Sequence, residues 1–322
     1  MFKIRKYKKG DEIEILKLDR LVETHKWNRR NLKNWYWKYK GRKPGGKTNI
    51  FVCEYKNKVI ATFSTIPLRY NFNKKNIIVA NSIAMIVHPK YQDKGIMKFL
   101  GDKLLDETKK KAKFVFGYPN DRSYNLHKIF YDYKDVFQQK LYEIKSNKIT
   151  NLKLPKNLNL KKIKKFNYRF DLLFKKNINK YSIQVVRDSE YLNWRYIARP
   201  DIKYKCFEIN YKSKFMGYVV FKFYRFKKKL YGHIIDYYTD ASMNKKMENF
   251  FIACLYYLKK NKVNFISLWC NGDNSSLSIL KKLGFKIVSS RPFICKIFDK
   301  KFNNALKNKS WFFTMGDSLE IY

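Results

Sequence analysis

Residues 83–105 read IAMIVHPKYQDKGIMKFLGDKLL, and this stretch decides the fold. The apolar run 83–87 predicts a strand, which ends at Pro89 because a proline has no N–H to donate to a neighbouring strand. From Ile96 onward, apolar residues recur at helical spacing. Gly95 lies where a missing side chain lets a phosphate approach the unpaired N–H groups of the first helical turn. The pattern predicts a strand, a phosphate-binding turn and a helix; the alternative is an ordinary turn that requires a glycine.

The chain has 322 residues, which is long enough for two domains that each bury a core. A hydrophobic fraction of 45% and an aromatic fraction of 18% predict a folded protein, although 30% of the residues are charged. Residues 1–6 lack the apolar centre of a signal peptide, and no segment approaches the ~18 uncharged apolar residues of a membrane helix. We therefore expect a cytoplasmic protein without a transmembrane segment.

The formal net charge is +45, with 71 basic residues. Such a charge invites a nucleic-acid partner, since basic proteins release counterions from phosphate backbones. The basic residues are, however, mostly lysines spread along the whole chain together with many Asn, Ile and Tyr residues. This distribution fits a codon bias toward A and T better than selection for a polyanion. We therefore do not expect nucleic acid as a partner.

Five cysteines are scattered through the chain, and no two of them have the spacing of metal ligands. Most lie inside apolar runs, which favours buried free thiols in a reducing compartment. The positions are Cys53, Cys206, Cys254, Cys270 and Cys295. We predict no metal site.

The order of patterns in the first half recurs in the second. An aromatic segment at residues 36–39 precedes Pro44, as residues 192–196 precede Pro200, and the strand pair that follows is matched by residues 206–223. A later strand, helix and strand recur as well, in the same order. Sequence patterns that repeat in the same order in both halves indicate a duplicated architecture.

Between the halves the periodic pattern breaks down around Pro155. We divide the chain into a first domain at residues 1–146, a connector at 147–180 and a second domain at 181–322. Strand and helix patterns alternate in both halves, so the predicted fold class is α/β, with a mixed sheet flanked by helices in each domain.

Residues 92–97, Gln-Asp-Lys-Gly-Ile-Met, resemble the acyl-CoA motif of the GNAT N-acyltransferase superfamily: Arg or Gln, two residues, Gly, one residue, then Gly or Ala. Met97 departs from the small residue at the last position. Residues 278–285 resemble the Lys-Leu-Gly-Phe helix end of many GNAT proteins. At the position of the motif the second half has residues 240–243, an acidic turn that is poor at holding a pyrophosphate. The chain thus resembles a tandem GNAT protein with two GNAT-like domains, of which only the first is expected to bind CoA.

The resemblance implies which residues bind the acyl-CoA donor. Main-chain groups of Met85, Ile86 and Val87 would pair with the pantetheine arm. The pyrophosphate would be held by the amides of Gln92, Asp93, Lys94, Gly95, Ile96, Met97 and Lys98. Lys94 and Lys98 could add charge or could simply be solvated. Asn120 would lie near the thioester, act as the N-cap of a helix, or do both.

The resemblance also implies candidates for catalysis and acceptor binding. A proton must leave the attacking amine, and His127, Tyr131 and His25 could accept or return it. Lys128 is an alternative to His127 because the alignment can shift by one residue, and Tyr124 is a further alternative acid. His127 could also be a purely structural histidine. For the acceptor, Trp35, Trp37 and Tyr39 could stack on a sugar or base, although aromatic residues this dense more often form core. Tyr118 is a further candidate for contact with the acceptor. Asp236 could bind the ammonium group across the cleft between the domains.

Taken together, these features imply an N-acyltransferase that uses acetyl-CoA or another acyl-CoA. It would act on a primary amine of a nucleotide-linked amino sugar in cell-surface polysaccharide synthesis, by direct transfer in a ternary complex. The alternatives are a peptidoglycan-bridge-type transferase that takes aminoacyl-tRNA, and a non-catalytic basic binding module. A homodimer is compatible with each of them.

Overall fold

The computed structural model describes residues 1–22, 31–150, 152–271, 274–307 and 311–319. Most of the strands join one mixed sheet, in the order β1-β2-β3-β4-β5-β13-β6-β12-β11-β10-β9-β7, and β8 pairs with β3. The strands are β1 (Lys3–Lys6), β2 (Asn49–Tyr55), β3 (Lys58–Phe72), β4 (Lys75–Val87), β5 (Phe114–Gly117), β6 (Lys134–Lys145), β7 (Leu158–Ile163), β8 (Ile183–Val185), β9 (Lys205–Tyr211), β10 (Lys214–Phe226), β11 (Lys229–Thr239), β12 (Phe265–Trp269) and β13 (Lys286–Ile297). The helices are α1 (Asp11–Val22), α2 (Leu32–Tyr39), α3 (Ile96–Lys109), α4 (Asp121–Tyr131), α5 (Tyr168–Lys176), α6 (Ser189–Leu192), α7 (Met247–Lys260) and α8 (Asn274–Lys282).

The two halves of the sheet follow the same plan. Strands β1 to β4 are antiparallel neighbours, and β4 then pairs in parallel with β5. In the second half, β9, β10 and β11 are antiparallel and β11 pairs in parallel with β12. Parallel neighbours need a crossover connection, which α3 supplies in the first half and α7 in the second. The predicted α/β fold class with a mixed sheet flanked by helices is confirmed.

The halves exchange strands at the centre of the sheet. Strand β13 lies between β5 and β6, with Cys295 opposite Phe116. On its other side, β6 pairs with β12, with Tyr142 opposite Leu268. Each half therefore completes its sheet with a strand from the other, and the pairing runs without a break across the molecule.

The predicted connector at residues 147–180 contains regular structure. Strand β7 pairs with β9 along its whole length at the outer edge of the second half, and α5 follows it. The strand reads Leu-Asn-Leu-Lys-Lys-Ile, and most of these residues are exposed or half-buried, as charged residues on an edge strand commonly are. The domain boundaries that the sequence predicts remain a prediction, because the continuous sheet shows no boundary of its own.

A buried ionic cluster fixes the last described segment, residues 311–319, to the second half. Arg187 donates from Nε to Asp236 Oδ1 at 3.2 Å and from Nη2 to Asp317 Oδ2 at 2.7 Å. Arg195 donates to the carbonyl oxygens of Gly316 (2.9 Å) and Ser318 (3.1 Å). Both arginines are buried, so their charges depend on partners within the protein such as these. The segment is thereby held against the centre of the molecule.

All five cysteines are free and buried. Within the described ranges, no three His, Cys, Asp or Glu side chains form a group that could hold a metal ion. None of the described helices has the length and apolar character required to cross a bilayer.

Candidate active site

A cavity opens where β4 and β5 separate. The two strands pair only at Ala80 with Val115 and at Asn81 with Phe116. Beyond these pairs β4 continues beside β3 alone, while β5 ends at Gly117. The resulting wedge forms a cavity of about 420 Å³, lined on one side by residues 82–86 and on the other by residues 117–120.

A β-bulge shapes the β4 wall of this cavity. Thr62 on β3 lies opposite Ile86, but Ser64 lies opposite Ile83, so two residues of β4 face one residue of β3. Ala84, inside the bulge, has a φ of 53°, which is uncommon for a residue with a side chain. A bulge leaves its extra residue outside the ladder, so a backbone N–H becomes available to a ligand. The predicted pantetheine residues Met85 and Ile86 line the cavity, whereas Val87 pairs with Ala61 just beyond it.

The predicted pyrophosphate turn lies between β4 and α3. Asp93 (φ 60°) and Gly95 (φ 67°) both have left-handed backbone conformations, and Gly95 directly precedes α3. No side chain caps this helix, and a Cβ added to Gly95 would meet only Phe99 Cε2 at 3.9 Å. No side chain therefore covers Gly95 or caps the start of α3, which fits a bound diphosphate at this turn.

The side chains around this turn fit the same interpretation. Met97, which departs from the motif, is buried in the core beneath α3 and does not stand over the turn. Ile96 is buried with it, while Gln92 and Lys94 are exposed. Lys98 pairs with Asp102 at 3.4 Å on the surface of the helix. The ligand role of residues 92–98 remains a prediction that the shape of the turn supports.

The corresponding turn of the second half has its own carboxylate. Asp240 accepts the N–H of Ser242 at 3.0 Å and forms an ion pair with Lys176 at 2.7 Å. Burial alone would raise the pKa of Asp240, but these two partners lower it to about 2. A permanent negative charge at this position opposes a diphosphate, which supports CoA binding in the first half only.

His127 is the catalytic candidate that lines the cavity. Its Nδ1 lies 2.7 Å from the carbonyl oxygen of Ser123. Since a carbonyl only accepts, Nδ1 carries the proton and Nε2 offers a lone pair in the neutral ring. Nε2 lies 3.4 Å from Ser82 Oγ, which also lines the cavity. Burial lowers the pKa of His127 to about 4, although the bond to Ser123 opposes this, so the ring is neutral at pH 7.

The other two catalytic candidates are not placed at the cavity. Tyr131 is buried between α4 and α3, where its hydroxyl donates to the carbonyl oxygen of Met97 and its ring covers Gly101. It does not line the cavity, so a direct role in proton transfer does not fit its position. His25 lies outside the described residues. The alternative Tyr124 donates to Asp135 at 2.7 Å on the surface.

Of the predicted acceptor-binding residues, one lies at the cavity. Tyr118 lines it, and its ring packs against Phe293 with the centroids 5.1 Å apart. Trp37 instead stacks on Trp194 at 5.2 Å and donates from Nε1 to the Trp194 carbonyl oxygen, so it joins the halves. Asp236 is fully buried in the ionic cluster, where it accepts bonds from Arg187, Tyr196, Tyr218 and Thr314. The predicted contact between Asp236 and a substrate ammonium group does not fit this buried position.

Asn120 lines the cavity and caps α4 at the same time. Its Oδ1 accepts the N–H of Ser123 at 2.9 Å, and the Ser123 hydroxyl accepts the Asn120 N–H in return. Ser82, Arg199 and Arg291 also line the cavity, and they were not singled out from the sequence. The two arginines come from the second half, and no local pattern around them predicts a site.

Comparison with known proteins agrees with this geometry. Residues 3–130 match the acetyltransferase (GNAT) domain family. No curated protein matches the chain in sequence. Among solved structures, a GCN5-related N-acetyltransferase from Anabaena variabilis is similar with a TM-score of 0.70 and 17% identity, covering 92% of this chain and 73% of the other. N-myristoyltransferase from Saccharomyces cerevisiae with bound myristoyl-CoA has a TM-score of 0.61 and 13% identity, covering 91% and 82%.

A third similar structure is a tandem GNAT protein from the clavulanic acid biosynthesis pathway, with a TM-score of 0.63 and 11% identity over 92% of this chain and 98% of that one. Likeness at such identities shows the fold. The family match in the first half coincides with the splayed strands, the bulge and the glycine turn described above. Residues 3–130 thus match the GNAT acetyltransferase domain over less than half of the chain, and the chain is an acyltransferase that uses acetyl-CoA or another acyl-CoA.

Proposed function

We propose that the cavity between β4 and β5 transfers an acyl group from acyl-CoA to the primary amine of a nucleotide-linked amino sugar. The observation that carries the proposal is that the bulge at Ala84 and the neutral ring of His127 line one cavity, while the open turn at Gly95 follows the same strand, β4, along the chain. Bound acyl-CoA supplies a thioester, which is an activated acyl group. Aromatic rings of Trp35, Tyr39 and Tyr118 line the cavity and suit the face of a sugar or base.

The residues of the chain divide the work of the transfer. A backbone N–H at the bulge polarises the carbonyl oxygen, which favours attack at the carbonyl carbon. As the C–N bond forms and the C–S bond breaks, the nitrogen has to lose a proton. The Ser82 hydroxyl accepts that proton while it donates its own to Nε2 of His127, 3.4 Å away. The neutral ring of His127 offers the Nε2 lone pair that receives the proton, and the proton passes on to the sulfur of the departing CoA, which leaves as the free thiol.

Transfer is direct, from the thioester to the amine. A covalent acyl-enzyme needs a nucleophile such as a thiolate within reach. The five cysteines are buried and free, and none lines the cavity formed by the described residues. Both substrates are therefore bound together, which converts the reaction into an effectively intramolecular step. Because the donor and the activated sugar are both small soluble metabolites, we predict a cytoplasmic site of action.

The test combines binding and activity. Calorimetry of the full chain with acetyl-CoA should show a saturable heat, and Gly95→Phe should weaken binding at least tenfold because the new side chain covers the first-turn amides of α3. Gly46→Phe is the matched control: Gly46 also has a positive φ (100°) and open space where a Cβ would lie, but it is outside the cavity. Absence of heat in folded wild-type protein, or equal loss in both variants, would refute the proposal.

A further inference from the structure

The cavity of the acyltransferase is lined by three basic side chains from both halves of the chain. Lys38 comes from α2, Arg199 from the segment after α6, and Arg291 from the exchanged strand β13. Asp19 is the one acidic residue among the described lining residues. The second half, which has an acidic turn in place of the glycine turn, thus contributes two guanidinium groups to the cavity of the first.

The charge of Arg199 is already used within the protein. Its Nε donates to Asp201 Oδ1 at 2.9 Å, and both side chains are almost completely buried. The guanidinium also lies 4.9 Å from the ring centroid of Trp37, a cation–π contact. Arg199 is therefore a fixed part of the wall, with a carboxylate that balances its charge.

Arg291 differs from Arg199 in both respects. Its side chain is exposed to the cavity side of the molecule, and it forms no hydrogen bond or ion pair with any residue in the described ranges. Its neighbour across the ladder is Gln139 on β6, a neutral residue. Gln139 is 1% exposed, and its Oε1 has no partner among the described residues. The strand pair thus presents a guanidinium without a counterion beside a buried acceptor.

The register of β13 explains why Arg291 faces the cavity. Residues two apart on a strand share a face, and Phe293 packs with its ring centroid 5.1 Å from that of Tyr118, which also lines the cavity. Arg291, two residues before Phe293, therefore lies on the same face of β13. Residues 92–98 of the pyrophosphate turn do not line this cavity, so Arg291 is placed on the acceptor side and apart from the phosphates of the donor.

We propose that Arg291 binds an anionic group, a phosphate or a carboxylate, on the acceptor. This inference rests on the proposed function of the cavity. The planar guanidinium matches both groups with two parallel hydrogen bonds, and such charge-assisted bonds are stronger than neutral ones. Arg291 determines acceptor specificity, because it sets the orientation in which the amine meets the bulge. It reaches the site only because β13 of the second half pairs with β5 and β6 of the first.

The test compares matched acceptors with the full-length protein. Thiol release from acetyl-CoA is followed with glucosamine, glucosamine 6-phosphate and 2-amino-2-deoxyglucuronic acid, which differ only in the neutral, phosphate or carboxylate group. In Arg291→Gln the KM for the anionic acceptor should rise roughly 10- to 100-fold, as expected for the loss of charge-assisted hydrogen bonds. The KM for glucosamine, which lacks the anionic group, should change far less than the KM for the anionic acceptor, and Arg291→Lys should recover part of the loss. The acceptor whose KM responds identifies the anion.

Lys286→Gln is the charge-matched control, because Lys286 lies on the same strand, is exposed and does not line the cavity. Equal changes for charged and neutral acceptors, or the same change in Lys286→Gln, would overturn the inference while leaving the proposed function intact. A binding measurement covers the case in which none of the three amines is turned over: UDP, a nucleoside diphosphate, should bind wild type and Lys286→Gln at least tenfold more tightly than Arg291→Gln. Equal binding of UDP to all three proteins, or no binding to any, refutes the role of Arg291, whereas failure of the acetyl-CoA titration refutes the proposed function.

Discussion

Replacement of His127 by asparagine should remove a large part of the acid sensitivity of the fold. Burial lowers the pKa of His127 from 6.5 to about 4. As the pH falls below 6.5 the unfolded chain therefore binds a proton at this residue that the folded chain does not. Stability is lost across the window from pH 6.5 to pH 4 and is not lost further below it. Since a pKa difference of one corresponds to ~1.4 kcal/mol, the residue contributes a loss of about 3 kcal/mol.

Asparagine keeps a donor for the carbonyl oxygen of Ser123 but cannot titrate. The variant should be less stable than wild type at pH 7 because a cavity replaces the ring. That deficit should shrink by about 2 to 3 kcal/mol between pH 7 and pH 4.5. The free energy of unfolding can be measured from urea titrations followed by tryptophan fluorescence at several pH values.

Phe63→Leu is the matched control, because the Phe63 ring lies 5.8 Å from the ring of His127 and is equally buried but has no titratable group. Its deficit should be the same at each pH. A deficit of His127→Asn that is also constant from pH 7 to pH 4.5 would show that the folded and unfolded chains protonate this histidine alike. The claim that burial keeps His127 neutral, on which the proposed mechanism depends, would then be refuted.

Three further changes test the scaffold. Arg187→Met should lower the free energy of unfolding by about 3–5 kcal/mol in urea titrations, because it leaves buried carboxylates without their counterion; a loss below 1 kcal/mol would contradict the structure. Gly101→Ala should lower the free energy of unfolding by about 1–3 kcal/mol, since the new methyl group overlaps the ring of Tyr131. In a chain that already has Tyr131→Leu, the same Gly101→Ala change should cost less, because the overlapping ring is gone. Ala84→Val should lower the thermal midpoint by more than Ala84→Gly does, because a branched side chain at a φ of 53° is strained; equal midpoints would argue against the bulge.

The parts of the fold that local chemistry decides were predictable from the sequence. Proline and glycine punctuate the segment from β4 to α3, so the strand, the turn and the helix followed from residues that lie near one another in the chain. The repeated order of elements was visible for the same reason. The exchange of β6 and β13 was not, because an alternating strand looks the same whichever neighbour it pairs with. Arg291 was missed with it, since its place at the cavity depends on that pairing.

Side chains that serve the core were hardest to separate from side chains that bind a ligand. Trp35 and Tyr39 lie one helical turn apart on α2 and both line the cavity, while Trp37 on the other face of the helix stacks on Trp194. Aromatic composition alone does not say which face of this helix meets the second half. Asp236 failed as a predicted ligand for a similar reason: its partner Arg187 lies far away in sequence, and a carboxylate without a visible partner looks available.

The strand exchange also sets the time at which the enzyme can be finished during its synthesis. Strand β5 leaves the ribosome long before β13, which starts roughly 170 residues later. At ~5–20 residues per second, the edge of β5 that pairs with β13 stays unpaired for on the order of ten to thirty seconds. During that interval β5 exposes unpaired backbone groups that can recruit a strand from another nascent chain. A chain that ends before residue 286 would contain the turn at Gly95, but it would lack Arg291 and would leave one edge of β5 unpaired.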